Sequence, residues 1–136
     1  MASSALILAQ ANPSLLNAFP GWKAPVHIKA QATMTGGGAV TMTAAQTTPG
    51  VVIARAIAGT YTLSFPPCRH IGGLHGHLSP ASPTTPADVR DVRFLPASDA
   101  AAAAGTVAFS LTNTTNVITD PTAAATIDVD FWADLG

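Results

Sequence analysis

From Pro25 onward, apolar and polar side chains alternate along the chain. Val26, Ile28, Ala30 and Ala32 fall on one parity, and His27, Lys29, Gln31 and Thr33 fall on the other. A period of two is what a strand with one buried face requires, because successive Cβ atoms point to opposite sides of the sheet. Gly36-Gly37-Gly38 breaks that strand, and Val40 and Met42 then alternate with Thr41 and Thr43 in a second. Pro49-Gly50 reads as a turn. Val51 to Ala56 reads as a third strand, and Ala58-Gly59 turns the chain into a fourth, Thr60 to Phe65, with Tyr61, Leu63 and Phe65 on one face. Pro66-Pro67 ends it, because proline lacks the N–H that a ladder needs.

The second half repeats the theme with more interruptions. His70 to Leu78 reads as a fifth strand in which Gly72, Gly73 and Gly76 weaken the pattern or mark a bulge. Ser79 to Pro86 holds three prolines and no large apolar residue, which predicts an exposed loop. Val89 to Leu95 alternates again, but apolar residues occupy both parities and leave its buried face open. Asp99, the alanine run and Gly105 supply an N-cap candidate, helix formers and a stop, which predicts one or two helical turns as a connector. Thr106 to Asn113 places Val107, Phe109 and Leu111 on one side. Thr114 to Ala125 loops through Asp120-Pro121, and Thr126 to Trp132 sets Ile127, Val129 and Phe131 against Asp128, Asp130 and Trp132. About eight short strands at this spacing, with no helix long enough for a parallel crossover, predict an all-β domain, an antiparallel sandwich or jelly-roll-like fold. Tyr61, Phe65, Phe94, Phe109 and Phe131 are its candidate aromatic core.

Residues 1–24 follow no settled period. Leu6, Ile7, Leu8, Leu15, Leu16, Phe19 and Trp22 are apolar, while Pro13, Pro20 and Gly21 interrupt them. Two readings stay open: an arm that docks on a neighbouring subunit, or an edge strand or short helix packed on the chain's own core. On the first, the chain divides into an N-terminal arm, 1–24, and a β-sandwich domain, 25–136. Leu6, Ile7, Leu8, Leu15, Leu16, Phe19, Trp22 and Trp132 are then the candidate interface, the two tryptophans because an indole buries a large area while its N–H seeks a partner. The apolar stretch Ala5 to Ala9 is too short for a secretory signal and the first lysine is Lys23, so no targeting segment is expected. No run approaches the length of a membrane span.

Composition sharpens this picture. The chain has 136 residues, enough for one core, and 48% of them are hydrophobic while only 10% are charged. All seven acids are aspartate, and with six basic residues there is little material for the wet faces of helices. So few ionic groups leave much of the exterior poorly hydrated, which predicts that a partner covers part of it. A net charge of −1 with scattered basic residues argues against a nucleic-acid partner, which needs clustered Lys and Arg. Cys68 is the single cysteine, so the fold does not depend on an internal disulfide.

Candidate chemistry is sparse. Cys68, His70, His75 and His77 are of metal-ligating types, and His75 and His77 share a strand face. Their spacing is not that of a common zinc module, and histidines lining a subunit interface or pore are the preferred reading, with no metal and no cofactor expected. Asp128 and Asp130 point the same way from one strand, with Asp120 and Asp134 near in sequence. Paired carboxylates bind Ca²⁺ or share acid and base roles, but strand alternation alone produces the same pattern on a wet face. No serine sits in a nucleophile elbow, and the glycines around Gly72 are followed by no phosphate-binding lysine, so no catalytic residue is assigned.

Gly59 to Pro66, Gly105 to Asn113 and Ile127 to Gly136 together resemble small virion proteins of tailed bacteriophages, especially head decoration or cement proteins and the knob modules of head or tail fibres. The resemblance covers residues 25–136. It implies a sandwich or jelly-roll-like domain that acts as a homotrimer, sits on the outside of a capsid by contact with the major capsid protein, and has no catalytic residues. A fibre knob that binds a host receptor or glycan through the His-rich segment or the Ser79 to Pro86 loop is the alternative it implies.

Overall fold

The computed structural model describes residues 25–80, 89–95 and 97–135. The expected arm, residues 1–24, and residues 81–86 of the loop expected over Ser79 to Pro86 lie outside the described residues, while Ser79 and Pro80 belong to strand β5 and not to a loop. Eight strands are present among those described: β1 (Val26–Met34), β2 (Val40–Met42), β3 (Val52–Ile57), β4 (Thr60–Ser64), β5 (His70–Pro80), β6 (Val89–Phe94), β7 (Thr106–Asn113) and β8 (Ala125–Asp134). They form two four-stranded sheets, in the orders β2-β1-β8-β5 and β3-β4-β7-β6, and every neighbouring pair is antiparallel. The alternation of the sequence thus becomes an antiparallel β-sandwich.

Inward-facing side chains of both sheets meet in one core. β8 is strictly alternating, with Ala125, Ile127, Val129, Phe131 and Ala133 buried and the residues between them half-buried. β1 contributes Ile28, Ala30, Ala32 and Met34, and β7 contributes Val107, Phe109 and Leu111. Tyr61, Leu63 and Phe65 all point inward, as their spacing predicts. The Phe65 and Phe131 rings meet between the sheets at 5.0 Å, and Phe109 packs on both Tyr61 and Phe94. Each large side chain removed from water this way contributes about 1.5–3 kcal/mol. The open question of β6 is decided by its neighbours: Val92 and Phe94 pack on the core while Asp91 and Arg93 face solvent.

The helix α1 (Asp99–Ala104) occupies the predicted connector, but its cap differs from expectation. Ser98, not Asp99, is the N-cap, and its Oγ accepts from Ala101 N at 3.1 Å. Asp99 is thereby released to the first turn, where its carboxylate accepts from His70 Nδ1 at 2.8 Å. Gly105 ends the helix in the left-handed conformation.

A bulge in β5 matters for everything that follows. Gly72 pairs with Trp132 and His75 pairs with Asp130, so three steps along β5 match two along β8. The extra residue restores His75 and His77 to the same outward face as His70, while Leu74 and Leu78 turn in against the core. Gly76 points inward where β6 crosses close: a Cβ there would stand 2.8 Å from Val92 Cγ1 and 2.9 Å from Phe94 Cε2.

One polar cluster ties the β7–β8 loop to the β3–β4 hairpin. Asp120 accepts from Tyr61 Oη at 2.7 Å, from Gly59 N at 2.8 Å and from Arg55 Nη2 at 2.6 Å. The Arg55 guanidinium, with the Gly59 and Tyr61 donors behind it, holds this carboxyl well below the usual carboxylate range against the opposing effect of burial. Burial first, then the hydrogen bond to Asp120 and its charge, hold the Tyr61 phenol well above its ordinary value. Gly59 has a φ of +71° and lies against Ile118 and Thr119, so a side chain there would be both strained and crowded.

Candidate functional site

The outer face of the β1-β8-β5 sheet gathers chemistry that the sequence scatters over a hundred residues. Asp128, Asp130 and Trp132 point outward from β8, the central strand of the three. On one side β1 sets Gln31 opposite Asp128, Lys29 opposite Asp130 and His27 opposite Trp132. On the other β5 sets His77 opposite Asp128, His75 opposite Asp130 and Gly72 opposite Trp132. Directly opposed residues have Cβ atoms about 4.5–5.5 Å apart, so each trio forms a row across the sheet. The rows read Gln31-Asp128-His77, Lys29-Asp130-His75 and His27-Trp132-Gly72.

Part of this array is already engaged. Gln31 Nε2 donates to Asp128 Oδ1 at 2.8 Å. His27 Nε2 stands 3.6 Å from Asp130 Oδ2, and its ring leans on the Trp132 indole at 4.9 Å. The Lys29 ammonium and the rings of His75 and His77 make no hydrogen bond or ion pair among the described residues. His27, Lys29, His75, His77, Asp128 and Asp130, with Gln46 from a short 3-10 turn after β2, line an open groove of about 440 Å³.

The four expected ligand-type residues do not come together. Cys68 is buried before β5 begins, its Sγ 3.7 Å from the His70 carbonyl oxygen, and burial raises its thiol above the ordinary value. His70 is engaged with Asp99, and only His75 and His77 reach the groove. Among the described residues no group of three His, Cys or Asp side chains is placed to hold a metal ion. Trp132 lies half-buried on the outer face, its ring against His27, which lines the groove. The other candidate interface residues, Leu6, Ile7, Leu8, Leu15, Leu16, Phe19 and Trp22, lie outside the described residues. His27, Lys29 and Gln31 went unremarked as site residues, although their shared polar parity in β1 is visible in the sequence. What the sequence lacks is the statement that β1 pairs with β8.

The opposite surface of the sandwich has another character. On the outer face of β3-β4-β7, Val52 opposes Ser64, Ala54 opposes Thr62, Thr62 opposes Ala108 and Thr60 opposes Ser110. None of these strands adds a charged side chain to that face. Arg55 lies on the other parity and is taken up by Asp120. Ile57 and Leu95 stand 67% and 62% exposed at its borders, well beyond what core residues show. Charge returns only at the β6 edge, with Asp91 and Arg93.

Comparison of the chain with protein-family models, with curated proteins and with solved structures gives no match.

Proposed function

We propose that this chain is a structural virion protein without catalytic activity, a decoration or cement protein that binds the outside of a tailed-phage capsid and reinforces contacts between capsid subunits. The observation that carries the reading is the uncharged outer face of β3-β4-β7. Thr60, Thr62, Ser64, Ala108 and Ser110 form an uncharged, small-residue surface bordered by exposed Val52, Ile57 and Leu95. Such a surface approaches another protein without leaving buried charge behind, and interface cores are depleted in charged residues for that reason. A patch of small residues is weak as a single contact, and on this reading the apolar side chains of residues 1–24 add further area as an arm for neighbouring subunits. Repetition over a particle, and a homotrimer that engages several sites together, convert weak contacts into stable occupancy.

The test is capture of the purified protein by emptied capsids of its own phage, read by co-sedimentation. Thr62→Lys together with Ala108→Asp, and separately deletion of residues 2–24, should each abolish capture while circular dichroism and the unfolding midpoint stay those of a folded sandwich. Full capture by both variants overturns the proposal.

A further inference from the structure

We infer that the groove on the β1-β8-β5 face is a binding site for a neutral, hydroxyl-rich ligand, a saccharide of one or two rings, with Asp128 and Asp130 as acceptors, Lys29, His75 and His77 as donors, and Trp132, next to the lining residue His27, as a stacking surface beside the groove. The inference stands apart from the docking role, which rests on the opposite sheet.

The chemistry of the rows selects the ligand. Gln31-Asp128-His77 and Lys29-Asp130-His75 each place an acceptor between two groups that donate. A carboxylate has four lone-pair positions, and Asp128 commits one oxygen to Gln31 while its Oδ2 makes no hydrogen bond among the described residues. Asp130 faces His27 with Oδ2 alone. The Lys29 ammonium and the His75 and His77 rings are unengaged among the described residues. An anion meets two carboxylates on the groove floor, and a cation meets the ammonium on its wall. A hydroxyl group both donates and accepts, so a set of them matches an alternating array without a net charge on either side.

Geometry at the third row adds shape. Trp132 is paired with Gly72, which extends no side chain over it, and Gly73 also lies beside the indole. The glycines extend no side chain over the β5 side of the indole, while the His27 ring leans on it from the β1 side. An indole buries apolar area readily, and the C–H face of a sugar ring supplies such area beside its hydroxyls. The bulge that inserts an extra residue between Gly72 and His75 puts the unengaged imidazoles and the half-buried indole on one surface. The volume, about 440 Å³, is within the range of small-ligand pockets and suits one or two sugar rings.

The experiment titrates the full chain with maltose, cellobiose, lactose and N,N′-diacetylchitobiose while recording the indole N–H and imidazole C–H resonances by NMR, with Trp132→Phe assigning the indole signal. Saturable shifts of Trp132 together with His75 and His77, for at least one sugar, are expected. Asp128→Asn with Asp130→Asn should weaken that binding about tenfold or more, whereas Asp91→Asn on the other sheet should not change it. His77→Ala serves as a second variant if the double one is poorly folded. Absence of saturable shifts with all four sugars overturns the inference, as does binding that is indifferent to both groove variants. Zn²⁺ or inorganic phosphate saturating the same resonances while no sugar does would also overturn it, since the site would then select charge.

Discussion

Tyr61 Oη donates a 2.7 Å hydrogen bond to Asp120 Oδ1 across 59 residues of sequence. The phenol is fully buried beneath the loop that holds the carboxylate, and the same oxygen also accepts from Gly59 N. One side chain thus closes the β3–β4 hairpin against the β7–β8 loop.

Tyr61→Phe removes the donor and keeps the ring, and it is expected to lower the unfolding free energy by about 1–2 kcal/mol. Asp120→Ala leaves Tyr61, Gly59 and Arg55 without their shared acceptor and should cost about 2–4 kcal/mol. A double-mutant cycle on urea unfolding should show the two losses to be less than additive, since they remove the same bond.

The depressed carboxyl of Asp120 makes the fold acid-sensitive. Its contribution is fully present above the ordinary aspartate value of about 3.9 and is lost as pH falls through the lower folded value. Stability should therefore decline below about pH 4, and Asp120→Asn should flatten that decline. Tyr61 acts in the opposite direction: its raised value means stability is lost from about pH 10 upward, as the unfolded phenol ionises and the folded one does not. Urea midpoints measured across both pH ranges test the two signs.

Gly76→Ala drives a methyl group into Val92 and Phe94, whose atoms belong to the packed junction of β5 and β6. A loss of about 1–3 kcal/mol is expected, the cost of overpacking a close junction. Gly72→Ala is the control. Its nearest neighbour would be His70 Nε2 at 3.9 Å, so the unfolding midpoint should move little.

Ser98→Ala removes the side-chain acceptor at the start of α1 and should cost about 0.5–2 kcal/mol. Amide exchange should report the loss in residues 99–104 first, with β7 protected as before.

The strands are legible along the chain, and so are most of their buried parities. Val107, Phe109 and Leu111, or Ile127, Val129 and Phe131, announce an inward face with no knowledge of what they will touch. β6 was not legible, because Val89, Val92 and Phe94 straddle both parities and a bulge between Val89 and Asp91 shifts the register. The cap of α1 falls one residue before the expected Asp99 because Ser98 and Asp99 both suit an N-cap; Ser98 takes the role through its Oγ bond to Ala101 N, which leaves Asp99 in the first turn beside His70. Asp120 read as an ordinary loop aspartate, since its donors come from another hairpin.

The sequence by itself determined that this protein is built of strands, where they turn and which side of nearly every strand is dry. Those are consequences of steric alternation and hydrophobic transfer acting over a few residues. Only the tertiary structure decided that β8 lies between β1 and β5, and with it the rows that set Asp128 and Asp130 between lysine, glutamine and histidine. Strand partners are selected by the closure of long loops around a shared core, a balance struck over the whole chain, and no local stretch of residues contains it.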